Sequence, residues 1–226
     1  MNDAPMQRVT KAALAETGLK VRDIEFVKIT PDLDVPALES FLTAGAELGA
    51  RHIITAPYDS DLSRLADRLG AIAELSRGYG LSPVLEFFPW TAVSDLEGAL
   101  AVVIRSGSRE AGVLIDTLRF DRSGTPIEAL AAVPPHRLPF VHVSDAPAGK
   151  PADIDELLHT AHADRLPPGE GAIDIAGILG QMPAGIPIAL EVPMDALTRT
   201  LGPEAVARRV RAGLRRCLEG AEIKPV

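Results

Sequence analysis

The run Val21-Arg22-Asp23-Ile24-Glu25-Phe26-Val27-Lys28-Ile29, followed at once by Thr30-Pro31-Asp32-Leu33-Asp34, decides between two folds. Its first part has the length and the Val/Ile content of a buried parallel strand. Its second part lacks the glycine-rich turn that follows the first strand of an open dinucleotide-binding sheet, so no phosphate cradle is present there. Five further runs of strand length lie downstream, roughly His52 to Ala56, Pro83 to Phe88, Gly112 to Thr117, Pro139 to Ser144 and Ile186 to Val192. Helical periodicity fills the intervals from about Leu38 to Leu48, Leu62 to Leu75 and Leu96 to Ile104, with an opening helix near Met6 to Thr17 and a closing one near Pro203 to Leu218. Asp34 or Pro36, Ser60 and Ser94 are the expected helix starts, and Gly18, Gly49, Gly80 and Gly107 stand where a left-handed residue ends a helix. Alternating strand and helix implies a parallel α/β sheet with right-handed crossovers, either open or closed as a barrel. Polar residues at the C-terminal ends of several strands favour the barrel, whose chemistry gathers at that face.

Composition narrows the function. A chain of 226 residues suits one domain over 1–226, and 46% hydrophobic with 24% charged residues is a globular balance. The net charge of −8 opposes a nucleic-acid partner, which needs a basic face. One cysteine, Cys217, cannot close an intramolecular disulfide and fits a reducing cytoplasm. The opening Met1-Asn2-Asp3-Ala4-Pro5 lacks the order of a secretory signal, and the longest apolar run, Ala99 to Ile104, is too short to span a bilayer; a soluble chain without a membrane partner is expected. Arg208, Arg209, Arg211, Arg215 and Arg216 of the closing helix are most simply a solvated face.

Four of the later strands finish in a metal-ligand type: Leu85-Glu86-Phe87, Ile115-Asp116-Thr117, Val141-His142-Val143 and Leu190-Glu191-Val192. Alone, each acid could cap a helix and the histidine could be a satisfied core residue. Together they point to a cation, because three carboxylates converging on one barrel mouth repel unless something positive lies between them. Carboxylates with one imidazole suit one divalent ion such as Mn²⁺, Mg²⁺ or Co²⁺, with Zn²⁺ also admissible. Such an ion grips adjacent carbonyl and hydroxyl oxygens, acidifies the C–H between them and stabilises an enediolate. Two glutamates could then exchange the proton on opposite faces.

Read in order, Leu85-Glu86, Val113-Leu114-Ile115-Asp116-Thr117-Leu118 with Arg122-Ser123-Gly124, His142-Val143-Ser144-Asp145-Ala146-Pro147, Arg165-Leu166-Pro167-Pro168-Gly169-Glu170-Gly171-Ala172-Ile173-Asp174 and Leu190-Glu191-Val192 resemble the xylose-isomerase-like TIM-barrel superfamily. Within it, the match is to the sugar phosphate isomerase/epimerase group, a relative of the AP endonuclease family 2 type. The resemblance implies that Glu86, Asp116, His142 and Glu191 are metal ligands and that Glu86 and Glu191 are the catalytic pair moving the proton. It also implies that Arg165 contacts substrate oxygens, the alternative being a loop salt bridge. Gly169 and Gly171 would shape that loop.

Two departures stand out. Where many members carry histidine three residues after the strand-end aspartate, this chain has Arg119, which cannot act as a neutral base but can pair with an anionic substrate group, or else point outward to Asp121. The resemblance also implies eight strands against six readable here, so the first strand, helix and second strand are expected to be missing, leaving sheet edges to be covered. The loop 146–164 could be a lid carrying Lys150 to an anionic group, or a plain surface insertion. Phe87, Phe88 and Trp90 could offer a wall to a sugar ring or pack core, His52 at its strand's start is expected to be structural, His136, His159 and His162 show no ligand spacing, and Glu25 could face the mouth.

The expected activity is a divalent-metal-dependent isomerase or epimerase of a small sugar, sugar acid or cyclitol, acting on a polyhydroxy carbonyl compound in the cytoplasm as a homodimer. A dehydratase of inosose or dehydroshikimate type uses the same logic. A non-catalytic metal-binding or assembly protein with a truncated barrel is the alternative of a different class.

Overall fold

A computed structural model describes residues 4–149 and 151–220, so Lys150 lies outside the described residues. In chain order the elements are α1 (Ala4–Thr17), β1 (Asp23–Ile29), α2 (Glu39–Leu48), β2 (His52–Pro57), α3 (Leu62–Arg77), β3 (Ser82–Glu86), α4 (Leu96–Arg105), β4 (Gly112–Asp116), α5 (Thr117–Ser123), β5 (Val141–Val143), α6 (Ile154–Ala163), α7 (Ile175–Gln181), β6 (Ile188–Leu190), α8 (Asp195–Leu201) and α9 (Pro203–Gly220). All six expected strands form. Five are shorter than the runs read for them, all but β2, and at β3, β5 and β6 a proline stands near a trimmed end. Pro89 removes a donor and biases the backbone before it, so β3 stops at Glu86 and not at Phe88; Pro139, Pro187 and Pro193 trim β5 and β6 in the same way.

The chain divides into two compact units. The first runs up to Glu86 and includes Thr91–Val93 and Glu97–Val113. In it β1 pairs with β2 and β2 with β3, all parallel, with a register irregularity between Ile24 and Val27. Helix α3 packs on β3 and β1. Its buried residues, Leu65, Ala66, Leu69, Ile72, Ala73 and Ser76, recur at helical spacing, and each large aliphatic among them stabilises by about 1.5–3 kcal/mol. Helix α3 is capped by Asp61, not Ser60: the Asp61 carboxylate accepts from the Ser63 and Arg64 amides at 3.0 and 3.1 Å. Gly45 on α2 faces Ile24, whose Cδ1 would stand 2.4 Å from an added Cβ, so a larger residue here would require the Ile24 side chain to turn aside. Gly49 ends α2 at φ 82°, and Gly18, Gly80 and Gly107 adopt the positive φ expected of them.

The second unit holds Phe87–Trp90, Ser94–Leu96 and the residues from Leu114 on. Here β4 pairs parallel with β5 through Ile115↔Val141 and Asp116↔His142, and β5 with β6 through Val141↔Ile188, His142↔Ala189 and Val143↔Leu190. Met194, Val206 and Val210 form a buried cluster with Val192 and Leu197 packed against it, joining α8 to α9. The segment 146–164, read as one loop, contains the ten-residue helix α6, capped by Asp153. Among the described residues, no helix is long and apolar enough to cross a membrane.

Candidate metal centre

Strand β4 is wholly buried and ends in Asp116, and α5 starts at the next residue. The two carboxylate oxygens of Asp116 have separate tasks. Oδ1 caps α5 by accepting from the Arg119 amide at 3.0 Å, and Oδ2 accepts from Arg165 Nη1 at 2.6 Å. Thr117 locks the adjacent strand end: its Oγ1 donates to the Ser144 carbonyl at 2.7 Å and accepts from the Ser144 amide at 3.0 Å.

His142, at the centre of β5, faces Glu191, which follows β6; Nδ1 and Oε2 are 3.2 Å apart. Arg165 ties Asp116 to Glu191. Its side chain is fully buried, Nε donates to the Ala161 carbonyl at 2.8 Å, and Nη1 lies 3.0 Å from the Glu191 carbonyl, 3.2 Å from Glu191 Oε2 and 3.2 Å from Ser144 Oγ. Nη2 is buried with no hydrogen-bond partner among the described residues. Asp116, His142 and Glu191 each offer a ligand atom within 4.8 Å of the others. Donors about 2.0–2.2 Å from a common ion stand at most about 4.4 Å apart, so the set fits a divalent cation with small side-chain adjustment. Two carboxylates and an imidazole are also the donor chemistry such an ion takes.

The electrostatics reflect burial. Burial pushes the Asp116 carboxyl above the ordinary range; Arg165 pulls it back and the Glu191 charge adds to the rise. For Glu191 burial acts the same way, but the His142 hydrogen bond and the Arg165 and Arg119 charges outweigh it and hold the group well below its usual value. Burial works against the Arg165 cation too, and the two carboxylates more than restore it.

Glu86, the last residue of β3, is buried. Asp121 pairs with Arg122, and Arg119 is buried, with its guanidinium carbon 4.1 Å from the Phe88 ring centre and 5.9 Å from that of Trp90. A planar cation prefers such an aromatic face to open solvent. Phe88 stacks on Trp90 with centroids 5.0 Å apart, and Trp90 meets the edge of His162 at 5.8 Å. Phe87 is core. Glu25 is exposed, and His52 stands at the start of β2 against Ser82 Oγ at 3.1 Å. Sequence reading assigned no role to Ser144 or Asp145, which lie within three residues of His142 and are both buried. An acid three residues past a proposed ligand, just beyond a buried strand, was the signal that could have found Asp145.

The family profile described as "Xylose isomerase-like TIM barrel" matches residues 8–217. The chain belongs to the xylose isomerase-like TIM barrel family. It is 25% identical over 154 residues to an inosose isomerase of Bacillus velezensis (strain DSM 23117 / BGSC 10A6 / LMG 26770 / FZB42), an alignment covering 62% of this chain and 52% of that one. The chain spans about half the length of the curated relatives it matches. Among solved structures, the IOLI protein with a bound zinc atom is similar with a TM-score of 0.77 at 18% identity, covering 95% of this chain and 82% of the other. The probable 3-DHS dehydratase AsbF of Bacillus anthracis is similar with a TM-score of 0.72 at 15% identity, over 95% and 82%. These likenesses establish the fold along nearly the whole chain.

Proposed function

We propose that Glu86, Asp116, His142 and Glu191 hold one divalent metal ion and that the centre isomerises or epimerises a small sugar, sugar acid or cyclitol. The observation that carries this reading is the convergence of two carboxylates and an imidazole, with a buried arginine holding both carboxylates, in a xylose isomerase-like chain. Glu86 joins as fourth ligand on the family likeness and on its burial at a strand end. The likeness to an inosose isomerase and to a zinc-bound structure supports the same reading.

A bound ion would polarise adjacent carbonyl and hydroxyl oxygens and so acidify the C–H between them. The chain's own groups do the rest. Glu191, held by His142 and Arg165, and Glu86 are the pair that the family likeness suggests for removing and returning the proton at carbon. Arg165 Nη2 is a buried donor available to a substrate oxygen, while Nη1 keeps Asp116 and Glu191 in place. The Phe88–Trp90 stack offers Trp90 as an apolar wall with the Arg119 cation over it, which suits an anionic group on the sugar. Lys150 is proposed as a second cation for that group.

The test is a panel of inososes, ketoses and keto-acids incubated in D₂O. Isomerase or epimerase activity leaves the product mass unchanged apart from one solvent deuterium at carbon. A dehydratase is the second reading, favoured by the likeness to AsbF, and its product lacks one water. In either case Glu86→Gln and Glu191→Gln lower turnover by about 10²–10⁴-fold. Retained metal with no turnover across the panel would favour a non-catalytic binding protein.

A further inference from the structure

Asp145 stands three residues past His142 and is 1% exposed, yet it is not among the proposed ligands. Its carboxylate is filled by backbone donors. Oδ1 accepts from the Ala146 amide at 2.8 Å and the Ile173 amide at 3.0 Å, and Oδ2 from Gly169 at 2.9 Å and Gly171 at 3.0 Å. Its own backbone forms an antiparallel bridge with Leu166, Asp145 N–H to Leu166 O at 2.9 Å and Leu166 N–H to Asp145 O at 2.8 Å. Leu166 follows Arg165, whose amide is held in turn by the Pro193 carbonyl at 3.0 Å, two residues past Glu191. One carboxylate thus ties the chain leaving His142 to the segment that carries Arg165. Gly171 fits tightly against it: an added Cβ would stand 2.3 Å from Asp145 Oδ1 and 2.3 Å from the Ala146 carbonyl.

We infer that Asp145 is a positioning residue for the metal centre: by fixing residues 166–173 it sets Arg165 against Asp116 and Glu191, and so controls the affinity for a divalent cation. Buried groups that orient ligands through one intermediary typically change metal affinity by 10- to 100-fold when altered. The inference rests on the metal reading above. Asparagine at this site would turn an NH₂ toward two N–H donors, releasing one side of the loop while keeping the size of the side chain.

The experiment is titration of the metal-stripped full chain with Co²⁺, followed by visible absorption and calorimetry, with far-UV circular dichroism as the check on folding. Asp145→Asn is expected to weaken Co²⁺ binding by about 10- to 100-fold, Arg165→Lys similarly, and the double variant no more than the weaker single one, because both act on one arrangement. Gly171→Ala, which leaves the charge but displaces the carboxylate, should reproduce the loss. Wild-type affinity in folded Asp145→Asn, or fully multiplicative losses in the double variant, would overturn the inference. So would failure of both Asp145→Asn and Gly171→Ala to fold, which would make the residue purely structural. Absence of Co²⁺ binding by the wild-type chain would instead remove the metal reading itself, and this inference with it.

Discussion

Asp116 caps α5 with one oxygen and neutralises Arg165 with the other, both inside a fully buried site. Removing it leaves a buried guanidinium without its main partner, so Asp116→Ala is expected to cost about 3–5 kcal/mol in urea unfolding of the metal-free chain. A loss near 1 kcal/mol would mean that only the helix cap matters. His52 makes a prediction of opposite character. Burial first, and then the Arg22 and Arg51 charges, hold its pKa down to about 4 against an ordinary 6.5. Between those values the unfolded chain binds a proton that the folded chain refuses, so folded stability from this group is full above pH 6.5 and declines as pH falls toward 4. His52→Gln should flatten that part of the stability profile; an unchanged slope would show the imidazole to be freely solvated. At this scale the ligand types were readable because charged residues inside Val- and Ile-rich runs are too costly to bury without a partner or a cation. The arginine geometry was not readable: nothing in the spacing says that Arg165 lies on Asp116, that Arg119 lies over Phe88, or that Asp121 pairs with Arg122.

Elements were legible in proportion to their length. The ten- to eighteen-residue helices α2, α3, α4 and α9 show enough turns for periodicity to be seen, whereas α5, α7 and α8, of seven residues each, do not. Strand positions came from the apolar runs, and strand ends were overrun where a proline cut pairing short. The start of α3 was read one residue early because Ser60 and Asp61 are both good caps and only geometry selects between them. Asp61→Ala is therefore expected to lower stability by about 1 kcal/mol, measured as a shift in the urea midpoint at constant slope, while Ser60→Ala leaves it unchanged. The reverse order would restore the serine cap. Helix α6 is masked in the sequence by a segment rich in turn residues, although Asp153 with Glu156 three residues on is a start signal, and Glu156 Oε2 accepts from the Ala152 amide at 2.7 Å.

For the whole molecule, alternating strands and helices pointed to the family architecture, and the likeness to solved structures along nearly the full chain agrees with it. The functional account depends on a cation at the site. Calorimetric titration of the metal-stripped chain with Mn²⁺ or Co²⁺ tests it most directly. We predict about one ion per chain, lost in His142→Ala and in Asp116→Asn and retained in His52→Gln. No uptake by the wild-type chain, or undiminished uptake by His142→Ala, would contradict it.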